Sequence, residues 1–355
     1  MGKIIIDQHF PCYSFEQAKE ISSAFEGFKF RFFGFPNRAK VCAKRFIRTV
    51  SGSHHFSHKV VVRYTINYDG EFLEYGFLDK RTLRKYPELV EKLLSEEDVH
   101  ERWHIVQEYR WLEDELCRDI YFYENFEEFF ENKLKRYMNQ LYLATVIAFA
   151  NKYYSNGFGV YYIENGQCYE RGYFASETHM SIRPEEYYSN ADQTPLPLTA
   201  VWHWMCKNHK YKKDRDMSPA RPLTALTYTI NRSNFERTFY AVVGLESVFT
   251  KSEKGVRKQL KDTIIKVFPS VSESDIDLFY DKRSDFAHGD IFFPDYYENA
   301  RDSHHWSDLT RSAQKSTALL IMAVRELVKH DAIKIHIDEN DAIVYEEHQR
   351  MYYEE

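Results

Sequence analysis

Apolar and polar positions alternate most cleanly from His58 to Tyr68, where Val60, Val62, Tyr64, Ile66 and Tyr68 share one side of an extended chain. Asp69-Gly70 follows as a two-residue hairpin signal, which predicts Glu71 to Leu78 as the returning strand. A second hairpin is predicted from Val160 to Ile163, a turn at Asn165-Gly166, and Cys168 to Phe174. Lys3 to Ile6 reads as a short strand. Around Arg38 to Arg48 the cations Arg38, Lys40, Lys44 and Arg48 take even positions and Ala39, Val41, Ala43 and Ile47 take odd ones. A strand there gathers the cations on one face, either to contact phosphate or simply to meet solvent.

Helical spacing appears at Phe15 to Phe25, Tyr86 to Leu94, Glu96 to Arg118 and Leu134 to Tyr154. After about residue 196 it dominates. One long segment runs from Leu226 to Phe249, a second covers Val256 to Phe268, and another begins near Ser307 and ends at Lys329. Between them, Ile276, Phe279, Tyr280 and Arg283 predict a helix from about Glu273 to about His288. Ser272 is its N-cap, Asp275 its acidic first-turn residue and Gly289 its C′ residue. Four amphipathic helices with short connections predict a bundle. The expected fold is α+β: a mixed N-terminal region with hairpins over residues 1–195, an all-α helical bundle over 196–335, and an acidic tail over 336–355. The polar, proline-rich run Ser189 to Pro197 marks the boundary.

Composition narrows the function. With 355 residues the chain has room for two cores, and 43% hydrophobic residues argue against disorder. A net charge of −6 argues against general coating of nucleic acid, yet leaves room for a local basic site. The strongest such site is Lys207 to Arg215, where Lys207, Lys210, Tyr211, Lys212, Lys213 and Arg215 are candidate RNA-binding residues or parts of a solvated linker. The acidic stretch Glu124, Glu127, Glu128 and Glu131 reads as a solvated helix face. Five scattered cysteines without a CxxC pair suit a reduced, cytoplasmic protein. No apolar run approaches a membrane span, and the short N-terminal apolar run does not make a signal peptide. His54, His55 and His58 form one histidine cluster; His203, Cys206 and His209 form another. Neither has a matched second pair at zinc-site spacing, so no metal or other cofactor is expected.

Two phrases carry a resemblance. Tyr240-Ala241-Val242-Val243-Gly244-Leu245-Glu246-Ser247-Val248-Phe249 is similar to the helix ending in an Ala/Leu-Leu-Glu-x-Leu/Phe phrase in HEPN domains, the ApeA-like branch in particular. Tyr280-Asp281-Lys282-Arg283-Ser284-Asp285-Phe286-Ala287-His288-Gly289 resembles that branch's Tyr-x-x-Arg-Ser-x-x-x-His-Gly phrase. The likeness spans about Pro197 to His330.

The resemblance implies a HEPN-like bundle and a metal-independent endoribonuclease. Arg283 and His288 would be its catalytic pair, with Ser284 in the polar position after the arginine. Glu246 and Tyr280 would be supporting residues. It further implies a homodimer that brings two motifs together, an RNA substrate such as tRNA or mRNA, and a bacterial anti-phage defence or toxin role with a phage-derived trigger or regulator. The other reading is a non-catalytic HEPN interaction and dimerisation module that binds RNA or a partner protein. The chemistry is self-consistent. RNA supplies its own 2′-hydroxyl nucleophile, a histidine moves protons, and an arginine stabilises charge on the phosphorane. On an ideal helix, residues five apart are turned by about 140°, so the pair does not share a face.

Overall fold

The structure is a computed structural model, and it describes residues 2–32, 39–51, 56–68, 70–73, 76–79, 87–95, 134–153, 155, 157–164, 167–173, 182–209, 220–230, 234–251, 255–288 and 303–347. The chain is α+β, with an N-terminal antiparallel sheet region followed by a helical region. It divides into two compact units. The first is Met1–Tyr142 with Ser155–Ala175; the second is Leu143–Tyr154 with Ser176–Glu355.

In the first unit a six-stranded sheet runs in the order β2 (Lys29–Phe32), β3 (Ala39–Thr49), β4 (His58–Tyr68), β1 (Gly2–Cys12), β7 (Phe158–Glu164), β8 (Gln167–Tyr173). Helix α1 (Phe15–Ala24) is capped by Ser14, whose side chain accepts from the Gln17 amide. The inner face of the sheet holds Ile4, Ile6, Phe10, Val60, Val62, Tyr64 and Ile66, all buried, as strict alternation along β1 and β4 requires. Strand β4 is hydrogen-bonded on both edges, by β1 and by β3. It has no edge left for the expected return strand. Instead β5 (Gly70–Leu73) pairs with β6 (Gly76–Asp79) in a separate two-stranded sheet. The β7–β8 hairpin has the expected register, Glu164 opposite Gln167. Helix α2 (Pro87–Ser95) lies where the spacing placed it; the helix expected at Glu96 to Arg118 and the acidic stretch Glu124 to Glu131 lie outside the described residues.

Helix α3 (Lys135–Phe149) ends in a six-to-one closure. The Asn151 amide donates to the Val146 carbonyl at 3.0 Å, with Ala150 in the left-handed region at φ 50. The second unit continues with α4 (Leu198–His209), α5 (Ala220–Ile230), α6 (Asn234–Phe249), α7 (Val256–Val267), α8 (Glu273–His288), α9 (Ser303–Lys329), β9 (Ala332–Ile337) and β10 (Ile343–Glu347). Three expectations change here. The Leu226 to Phe249 segment is two helices, α5 and α6, and the sequence between them, Asn231-Arg232-Ser233, is rich in residues that favour caps over helix interiors. The tail expected from residue 336 is in part the β9–β10 hairpin, whose Ile335 is fully buried. The Ser189 to Pro197 run falls inside the second unit, to which it is tied by hydrogen bonds.

That tie rests on Arg325, which is 2% exposed. Its guanidinium donates to the carbonyls of Ile147 (2.6 Å) and Ala148 (2.7 Å) at the C-terminal end of α3, and to those of Asp192 (3.3 Å) and Thr194 (2.7 Å). A cation at a helix C-terminus meets carbonyls that lack intrahelical donors. Lys329, one helical turn on, pairs with Asp192 at 2.8 Å.

Helix α6 passes so close to α5 and α9 that a Cβ on Gly244 would stand 2.9 Å from the Ala225 Cβ and 2.8 Å from Leu320 Cδ1. Only glycine permits this approach. Among the described residues no helix is long and apolar enough to cross a membrane.

Candidate active site

Helix α8 takes the residues the periodicity assigned to it. The Asp275 amide donates to Ser272 Oγ at 3.2 Å, the expected N-cap bond. Asp275 is also clamped by Lys315 of α9 at 2.6 Å, with both side chains nearly buried. Ile276 and Phe279 are buried, and Phe286 packs on Phe239 of α6 at 5.1 Å between ring centroids and on Leu309 of α9. Positions 276, 279, 283 and 286 make one stripe at steps of three and four. Arg283 therefore stands in the inward stripe of α8, between two aromatic anchors.

Its guanidinium is held there by two groups. Arg283 Nη2 lies 3.5 Å from Glu246 Oε2 on α6, and the Tyr280 ring stands 5.7 Å from the guanidinium carbon. Arg257 of α7 approaches the same ring at 5.3 Å. Burial pushes the Glu246 carboxyl above its ordinary value, and the Arg283 charge offsets this only in part. Arg283 Nε is buried and makes no hydrogen bond among the described residues. The guanidinium thus has donors to spare, and a planar fork of donors matches a phosphate.

His288 is the last residue of α8 and is exposed; Gly289, the expected C′ residue, lies outside the described residues. Ser284 is half-buried on the same helix. The structure thus gathers Glu246, Tyr280 and Arg283 in one place, with Ser284 adjacent and His288 at the helix end, five residues from the arginine. The outer face of α8 is occupied by ion pairs, Arg257 with Asp277 (2.8 Å) and Asp281 (3.1 Å), and Lys261 with Asp277 (2.9 Å). Exposed pairs of this kind are worth about 1 kcal/mol or less.

The basic run is only partly described. Lys207, on α4, is engaged by Asp331 at 2.6 Å, while Trp204 Nε1 donates to the Ala332 carbonyl at 2.8 Å. Lys210, Tyr211, Lys212, Lys213 and Arg215 lie outside the described residues. So do His54 and His55; His58 Nδ1 is 2.8 Å from Ser57 Oγ, and His203 and Cys206 are exposed on α4. Among the described residues no group of three or more His, Cys, Asp or Glu side chains is placed to hold a metal ion.

Sequence reasoning missed Arg257, which shares the Tyr280 ring with Arg283. Its signal was a register relation between two helices, which no single periodic segment contains. No protein-family model, curated protein or solved structure matches the chain.

Proposed function

We propose that the chain is an endoribonuclease that cleaves RNA by transesterification from the 2′-hydroxyl, with Arg283 and His288 as its working pair. The observation that carries this reading is the state of Arg283. A guanidinium is fixed by Glu246 and Tyr280, retains a buried Nε–H without a partner among the described residues, and sits five residues before an exposed histidine on the same helix. Arg283 would hold a non-bridging phosphate oxygen and stabilise the charge that grows on the phosphorane. His288 would take the 2′-hydroxyl proton or return one to the 5′-oxygen leaving group. Glu246 would fix the arginine in orientation without touching substrate, and Ser284 would lie beside the phosphate. The proton balance closes within RNA and protein: the 2′-oxygen loses a proton, the 5′-oxygen gains one, and the products are a 2′,3′-cyclic phosphate and a 5′-hydroxyl. Because Arg283 and His288 are turned apart by about 140°, two copies of the chain supply a complete site more readily than one. The cellular setting that goes with this chemistry is RNA cleavage in the cytoplasm as a defence or toxin response.

A second reading has its own support. Arg283 occupies the inward stripe of α8, where an Arg–Glu pair also serves as a seam between helices, and a non-catalytic bundle that dimerises or binds a partner would use it so. Total cellular RNA with EDTA separates the two. Wild type is expected to cut it and Arg283→Ala to leave it intact. Absence of cutting by wild type, with the chain shown to be folded, assigns the bundle to the second reading.

A further inference from the structure

The outer face of the N-terminal sheet carries a group of cations that nothing above employs. Registration of the strands places Lys44 opposite Arg63 and Arg48 opposite Lys59, with Phe46 opposite Val61 between them. The same face continues onto β1, where Asp7 is opposite Arg63 and His9 opposite Val61. Like charges directly opposite each other destabilise an antiparallel pair, and here two such pairs lie four residues apart. Asp7 neutralises one member: it takes Arg63 in a two-point contact, at 2.7 Å to Nε and 2.6 Å to Nη2. Lys44, Arg48 and Lys59 make no salt bridge with a carboxylate among the described residues, though Asp7, already committed to Arg63, also attracts Lys59; His9 Nε2 is buried with no hydrogen bond among those residues. Glu170, on β8, is the further carboxylate placed on this face by register. The burden on the fold is visible in the titrating groups. Lys59 is held below its ordinary value by burial and then by Arg48; His9 is held below its own by burial and then by Lys59.

Three cations without a salt bridge among the described residues, in a chain of net charge −6, form a strongly uneven field. Lys44 to Arg48 spans about 13 Å of extended strand, more than one phosphate fills. Phe46 lies between them on the same face and is 38% exposed, with the Arg63 guanidinium 5.7 Å from its ring. Alternating cation, aromatic and cation along one strand suits a flexible polyanion whose backbone tracks the charges and whose bases stack on the ring. We infer that the outer face of β3 and β4 is a docking surface for single-stranded RNA, built on Lys44, Phe46, Arg48 and Lys59. The choice of RNA over DNA rests on the ribonuclease reading above; the surface itself does not depend on Arg283 or His288.

The test is fluorescence anisotropy with a labelled single-stranded RNA of about 16 nucleotides. The full chain carries His288→Ala, so that RNA stays whole. Binding is expected, and the triple variant Lys44→Gln, Arg48→Gln, Lys59→Gln should lower the slope of log affinity against log salt by about 2. Phe46→Ala should weaken binding about fivefold or more and leave that slope unchanged. Circular dichroism melts confirm that the variants, all at exposed or half-exposed positions, stay folded. Absence of binding, an unchanged slope in the triple variant, an unchanged affinity in Phe46→Ala, tighter binding of the same sequence as DNA, or equal binding of poly-glutamate each overturns the inference. Binding through this face by a wild-type chain that never cuts RNA sinks the ribonuclease reading alone. Cutting by a chain whose sheet variants bind as wild type sinks this one alone.

Discussion

Replacing Arg325 by methionine keeps the length and apolar stem of the side chain and removes every donor. The consequence follows from where those donors go. Three bonds at 2.6–2.7 Å, to the carbonyls of Ile147, Ala148 and Thr194, and a longer one to Asp192, are lost together in a buried site. The Ala148 carbonyl keeps the Leu196 amide and the Ile147 carbonyl keeps the Ala150 amide at 3.5 Å, so the cost is that of each lost bond to a charged donor, about 1.5–3 kcal/mol apiece. The guanidinium's own desolvation, which pulls its pKa down, is relieved by the substitution and offsets several kcal/mol of the sum. Three short bonds less that relief give a net loss of about 3 kcal/mol. Lysine has three donors on a compact head and cannot span both carbonyl pairs, so Arg325→Lys should rescue less than half of it. Urea unfolding followed by far-ultraviolet circular dichroism gives the stability difference. Native-state hydrogen exchange adds a local check. The Leu196 amide donates to the same Ala148 carbonyl, and its protection should fall in Arg325→Met. A loss under about 1 kcal/mol, with Leu196 protection unchanged, would refute the claim that this arginine joins the end of α3 to the Asp192–Thr194 segment.

Two further perturbations probe the bundle. Gly244→Ala should destabilise by about 1–2 kcal/mol in chemical denaturation, because the clash with Ala225 Cβ has no flexible side-chain end to yield and overpacking outweighs the gain in helix propensity; a stabilised variant would show that α5, α6 and α9 have slack. Glu246→Gln tests the carboxyl whose folded pKa is raised. Such a group contributes stability below the unfolded carboxylate range and loses it as pH climbs through the raised value, so melting temperatures from about pH 4 to about pH 8 should move in favour of the glutamine variant as pH rises. The opposite trend would mean that attraction to Arg283 outweighs desolvation.

The legible parts of this chain were local and periodic. Helix α8 follows from Ser272, Asp275 and the Ile276–Phe279 spacing, and β4 follows from strict alternation, because both signals are complete within one segment. Partner choice was less accessible. The Asp69-Gly70 turn signal is local, but β4 pairs with β1 and β3, strands whose claim on its edges is made by long-range packing. Arg325 gave no sign of its role. It directly follows the apolar run Ala318 to Val324, and its acceptors lie 131 to 178 residues away in the chain. The even-numbered cations of β3 were visible as a pattern. Their meaning emerged only when the register set Lys44 against Arg63 and Arg48 against Lys59. At the candidate active site, the resemblance of two phrases pointed to Arg283 and His288, while the fixing of Arg283 by Glu246 and the approach of Arg257 to Tyr280 required the packing of α6 and α7 against α8.

The central claim is that Arg283 and His288 turn the RNA 2′-hydroxyl into the nucleophile. End-group analysis of RNA fragments made in EDTA tests it most directly. Wild type should leave 2′,3′-cyclic phosphate and 5′-hydroxyl ends, with no fragments from His288→Ala. Fragments bearing 5′-phosphate, or equal cutting by His288→Ala, would contradict it.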